Sequence, residues 1–83
     1  MAQINHVSIK RIEKSRNTVH EKVYSTYTVF EKAGIKYVQI DMYGRERRDN
    51  PEKISQSVQF DAEAARFIVK CLISEFGLEN ANK

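Results

Sequence analysis

Eighty-three residues with 41% hydrophobic and 30% charged content fit one globular domain: too few for two, too apolar for a disordered segment. No window approaches the roughly 18 consecutive apolar residues of a membrane span, and one cysteine, Cys71, excludes an intrachain disulfide framework. The net charge of +3 is unevenly placed, with five basic and two acidic side chains in residues 1–30, six and five in 31–53, and three and four in 54–83. That asymmetry suits an anionic partner for the N-terminal part and the middle of the chain.

The N-terminus has no charged region leading into a long apolar run, so no signal peptide is expected and the predicted location is cytoplasmic, in a bacterium or one of its mobile elements. Residues 4–12 alternate weakly and read as a first strand; 13–18 are polar and turn-like. Residues 19–30 make the strongest strand, since 23–30 are almost wholly β-branched or aromatic. Residues 31–34 read as a four-residue hairpin loop, with Gly34 available for positive φ. Ile35–Tyr43 is a third strand with clear period-2 character. Residues 44–53 form a charged loop containing the turn signal Asn50-Pro51. Ile54–Phe60 alternates again as a fourth strand.

Asp61 is a good helix N-cap, because its carboxylate accepts from first-turn amides. Glu63 adds negative charge near the positive end of the helix. The predicted helix is Ala62–Phe76, with Ala64, Phe67, Ile68, Cys71, Leu72 and Phe76 on one apolar stripe and Gly77 as the stop. The fold is thus α+β: a four-stranded antiparallel sheet followed by one C-terminal helix, ββββα, in a single domain of residues 1–83 with 1–3 and 78–83 frayed. So small a domain is marginally stable alone, and a homodimer is expected.

With a loop of 31–34, Phe30 opposes Ile35, Tyr27 opposes Val38, Ser25 opposes Ile40 and Val23 opposes Met42. This mostly apolar set should meet the helix stripe. The other face pairs Thr28 with Tyr37, Thr26 with Gln39 and Tyr24 with Asp41, with Tyr43 beyond them. One helix covers one face of a sheet, so this second face should stay open.

Several constellations could carry chemistry. Tyr24, Tyr37 and Tyr43 offer flat rings for base stacking, with Gln39 between them as a hydrogen-bonding group. Arg45, Arg47, Arg48 and Lys53 in the adjoining loop, and Lys10 and Arg11 near the first strand, offer charge for phosphates. Glu46, Asp49 and Glu52 interrupt the basic run. Gly44 and the residues after it lack the second glycine and Lys-Ser/Thr of a P-loop. Ser55, Ser57 and Gln59 share one face of the fourth strand, where a sugar-phosphate backbone could touch them. His6, His20 and Cys71 have no metal-ligand spacing, and no metal or cofactor is expected. Asp41 is the only strand carboxylate and has no histidine in register, so no enzymatic activity is expected.

The hairpin of 23–43, the basic passage 44–53 into Ile54–Phe60, and a helix opening after Asp61 resemble the layout of the single-stranded-DNA-binding transcriptional coactivator family. The likeness covers about two-thirds of the chain. It implies four antiparallel strands, a closing helix and dimerisation through the helices. The stretches Tyr37-Val38-Gln39-Ile40-Asp41-Met42-Tyr43-Gly44 and Ser55-Gln56-Ser57-Val58-Gln59-Phe60-Asp61 are also similar to a group of small, functionally unassigned bacterial proteins.

The leading expectation is a non-enzymatic protein that holds single-stranded DNA or RNA on the open tyrosine-bearing face, with the arginine loop as a clamp. One alternative is a protein-interaction module, such as a phage or plasmid factor docking on a host protein, since Tyr and Arg also dominate interface hot spots. Another is a small anionic ligand or nucleotide at a dimer interface. No membrane partner is expected.

Overall fold

The computed structural model of the chain describes residues 1–44 and 54–79. The elements are β1 (Ala2–Gln3), β2 (Ser25–Lys32), β3 (Ile35–Tyr43), β4 (Ile54–Phe60) and α1 (Ala62–Phe76). The four strands form one sheet in the order β1-β4-β3-β2. The architecture is α+β, and β2, β3 and β4 are antiparallel neighbours. The sheet as a whole is mixed, because β1 runs parallel to β4 with Ala2 beside Val58 and Gln3 beside Gln59.

This corrects the all-antiparallel expectation, and the reason is local. The first strand is Ala2–Gln3, two residues expected to fray, and not 4–12. The Ile4 amide adds one bond to the Gln59 carbonyl at 2.9 Å. Asn5 then stops the strand: its Oδ1 accepts from the Val7 amide at 3.0 Å and its carbonyl from the Ser8 amide at 3.1 Å. Such an Asx turn competes with strand pairing for the same backbone groups. Residues 4–24 contain no strand or helix.

The β2–β3 hairpin also differs from expectation. Its loop is two residues, with Ala33 at φ 55° and Gly34 at φ 80°. Positive φ at both central positions is the requirement of a I′ turn, whose twist matches that of the strands. Lys32 therefore opposes Ile35, Phe30 opposes Tyr37, Tyr27 opposes Ile40 and Thr26 opposes Asp41. The register is shifted by two relative to a four-residue loop. Because side chains alternate with period two, such a shift preserves the division of side chains between faces.

β3, β4 and α1 have the bounds expected of them. The Asp61 carboxylate accepts from the Ala64 amide at 3.0 Å, and Gly77 closes the helix at φ 65° with its amide on the Ile73 carbonyl. The helix meets the sheet through β4. Its stripe is covered at the start and open at the end: Ala64 is buried, Phe67, Ile68 and Cys71 are half-buried, and Leu72 and Phe76 are exposed.

Among the described residues the apolar face does not close into a core. Val38, Ile40, Met42, Val58 and Phe60 remain half-buried, Tyr27 is 72% exposed and Val29 53%. Among the described residues the buried apolar side chains are Tyr43 and Ala64. No helix among them is long and apolar enough to cross a membrane.

Candidate functional site

The face opposite Val38, Ile40 and Met42 carries Tyr24, Thr26, Thr28 and Phe30 from β2 and the residues leading into it. It carries Tyr37, Gln39, Asp41 and Tyr43 from β3, and Ser57 and Gln59 from β4. Strand alternation puts these together: Gln39 opposes Gln59 and Asp41 opposes Ser57 across β3 and β4. A hydrogen-bonded ladder joins them. Gln59 Nε2 donates to Gln39 Oε1 at 2.7 Å, Gln39 Nε2 donates to Asp41 Oδ1 at 2.8 Å, and Ser57 Oγ donates to the same oxygen at 2.5 Å. A carboxylate accepts and never donates, so the chain of donors ends there.

Asp41 and Ser57 are 8% and 7% exposed. The Ser57 hydroxyl, and after it the Gln39 amide, hold the Asp41 pKa below its ordinary 3.8, because both bonds favour the charged form; burial opposes them more weakly. The face therefore carries a fixed negative charge at its centre. Asp41 Oδ2 accepts no hydrogen bond among the described residues.

Aromatic rings stand at both ends of the ladder. Phe30 and Tyr37 stack with centroids 5.4 Å apart and planes at 27°. At the other end Tyr24 and Tyr43 meet at 5.3 Å and 43°. Offset ring pairs of this kind are favourable through quadrupole and dispersion terms. The Tyr43 hydroxyl shares a 3.3 Å hydrogen bond with Thr26 Oγ1. The β4 strand is bulged here: Met42 opposes Gln56 while Tyr43 opposes Ile54, which leaves Ser55 as the extra residue. Its hydroxyl donates to the Met42 carbonyl at 3.1 Å.

The expected site residues are thus only partly assembled. Tyr24, Tyr37 and Gln39 lie on this face. Tyr24 is exposed and Tyr37 half-buried. Tyr43 was expected to present its ring, but it is 6% exposed, packed under Tyr24, and acts as a support. Lys10 and Arg11 lie elsewhere, in a cleft of about 630 Å³ with Phe67, Cys71 and Glu75 of the helix, and the cleft includes none of the tyrosines. Arg11 is paired there with Glu75 at 3.2 Å and with Glu13 at 2.5 Å. Arg45, Arg47, Arg48 and Lys53 fall outside the described residues.

Phe30 was assigned to the apolar set, and its place beside Tyr37 was missed. Alternation from Tyr24 through Thr26 and Thr28 puts it on this face whatever the loop length. Among the described residues, no group of three or more His, Cys, Asp or Glu side chains is placed to hold a metal ion. Comparison with protein-family models, with curated proteins and with solved structures returned no match.

Proposed function

We propose that the chain binds single-stranded nucleic acid, without catalysis, on the face that carries the Gln59–Gln39–Asp41–Ser57 ladder. The observation that carries this reading is the arrangement of that face: a hydrogen-bonded strip with an aromatic pair at each end. Unstacked bases bind such surfaces by lying on aromatic rings and by offering their edges to amides and carboxylates. Asp41 favours base amino groups and repels phosphate, so the bases lie inward and the backbone runs along the rim. The segment between Gly44 and Ile54 supplies the charge for phosphate. Its ends, Gly44 and Ile54, adjoin Tyr43 at one end of the face, which supports Arg45, Arg47, Arg48 and Lys53 as the phosphate-contacting groups.

The test is fluorescence anisotropy of labelled single-stranded and duplex oligonucleotides, titrated with protein at two salt concentrations. Binding should favour single strands and weaken steeply with salt, because phosphate contacts release counterions. Tyr37→Ala should weaken binding roughly five-fold or more, the loss of one stacked base. Arg47→Ala should lower the slope of log affinity against log salt by about one. Absence of binding at low salt, or wild-type affinity in both variants, rejects the reading.

A further inference from the structure

Among the described residues, no strand lies beside the outer edge of β2. The Tyr43 amide donates to the Tyr24 carbonyl at 3.0 Å. In an antiparallel pair, residues alternate between pointing their backbone groups at the neighbour and away from it. Tyr24 points toward β3, so Thr26, Thr28, Phe30 and Lys32 do as well. Ser25, Tyr27, Val29 and Glu31 point theirs outward. These outward amides and carbonyls have no backbone partner among the described residues.

Natural edge strands are blunted by proline, bulges, short length or charges. β2 is eight residues long and has no proline or bulge, and its charges, Glu31 and Lys32, sit together at one end. Its centre presents Tyr27 and Val29, both well exposed. These two side chains extend the apolar surface of Val38, Ile40 and Met42, which the helix leaves half-open.

We infer that β2 pairs antiparallel with β2 of a second copy about a two-fold axis perpendicular to the sheet, joining two sheets into one. Parity makes the edge self-complementary. Such an axis keeps each side chain on its own face, so odd positions must oppose odd positions, and these are the ones with outward backbone groups. With the axis at Thr28, Tyr27 of each copy opposes Val29 of the other, an aromatic on a β-branched residue, and Ser25 opposes Glu31. The occupant fitted by this geometry is a second copy, because a two-fold axis matches the open edge to itself.

The experiment is sedimentation equilibrium of the full chain over a concentration series, with amide exchange read residue by residue. The expected mass is twice 9.7 kDa, with Tyr27 and Val29 amides protected although they have no partner within the chain. Val29→Pro removes one outward N–H and no bond within the hairpin, since proline is tolerated where an edge amide faces out. It should weaken dimerisation by at least about tenfold while β3 and β4 amides stay protected. Tyr27→Lys leaves the backbone intact and places two like charges in the joined edge; it should have the same effect. A monomeric wild type, fast exchange at Tyr27 and Val29, or a dimer that persists in both variants overturns the inference.

Discussion

Asp41 shows how hydrogen-bond partners let a carboxylate stand in the middle of a sheet face. A carboxylate in the middle of a strand is costly to bury unless its oxygens are hydrogen-bonded. Here Ser57 and Gln39 both donate to Oδ1, and they lower the pKa in the folded chain. The sign of the pH dependence follows. A folded-state pKa below the unfolded one stabilises the fold at all pH values above the unfolded value, and this contribution is lost as pH falls through the folded value. Asp41→Asn removes it at every pH. The stability gap between wild type and variant should be full above about pH 5 and should shrink below pH 4, as the wild-type carboxylate takes up its proton. Urea midpoints of both proteins at pH 7 and pH 3 check this; an equal gap at the two pH values would sink it.

At the scale of elements, the turn of the β2–β3 hairpin carries strain. Ala33 adopts φ 55°, a region that costs an L-residue with a Cβ roughly 1 kcal/mol. Asparagine tolerates that region far better and precedes glycine in the favoured two-residue turn. Ala33→Asn should therefore stabilise the chain by about 0.5–1 kcal/mol, read as a higher denaturant midpoint at unchanged slope. Destabilisation instead would argue against the two-residue loop. The same turn shows what was legible beforehand. β3, β4 and α1 carry their boundaries in strong local signals: alternation ended by Gly44 and Asp61, and a helix closed by Gly77. The hairpin loop was misjudged because Glu31 and Lys32 look like loop residues, yet they continue β2 once Ala33 and Gly34 alone make the turn. The first strand was misplaced because Asn5 diverts the backbone into a turn of its own. Of the candidate site, the division of residues between faces was readable for all but Phe30 and Ile35, since a shift of two preserves parity. The packing of Tyr43 under Tyr24 was not, because the assumed four-residue loop set Tyr24 opposite Asp41, whereas the two-residue loop sets it opposite Tyr43.

At the scale of the whole molecule, the two proposals make a joint prediction that neither makes alone. A two-fold axis perpendicular to the sheet places the ladder faces of both copies on one side. The strand order across the joined sheet is then β4-β3-β2 followed by β2-β3-β4 of the second copy. Neighbouring strands lie about 4.8 Å apart, so the two Gln39–Asp41 rows of the β3 strands stand three spacings, roughly 14 Å, apart. One oligonucleotide long enough to cross both faces would bind both, and the second contact would be intramolecular, strengthened by effective concentration. Affinity should therefore rise with oligonucleotide length, then step upward at the length that spans both faces. The stoichiometry should change at the same length, from one strand per chain to one strand per two chains. Titration calorimetry across a length series measures both quantities. Val29→Pro keeps the ladder face intact in each chain, so short oligonucleotides should bind it as they bind wild type, and the step should vanish. A step that survives in Val29→Pro would mean that the two faces are joined through some other surface. A smooth rise with length in the dimeric wild type would mean that they do not act on one strand.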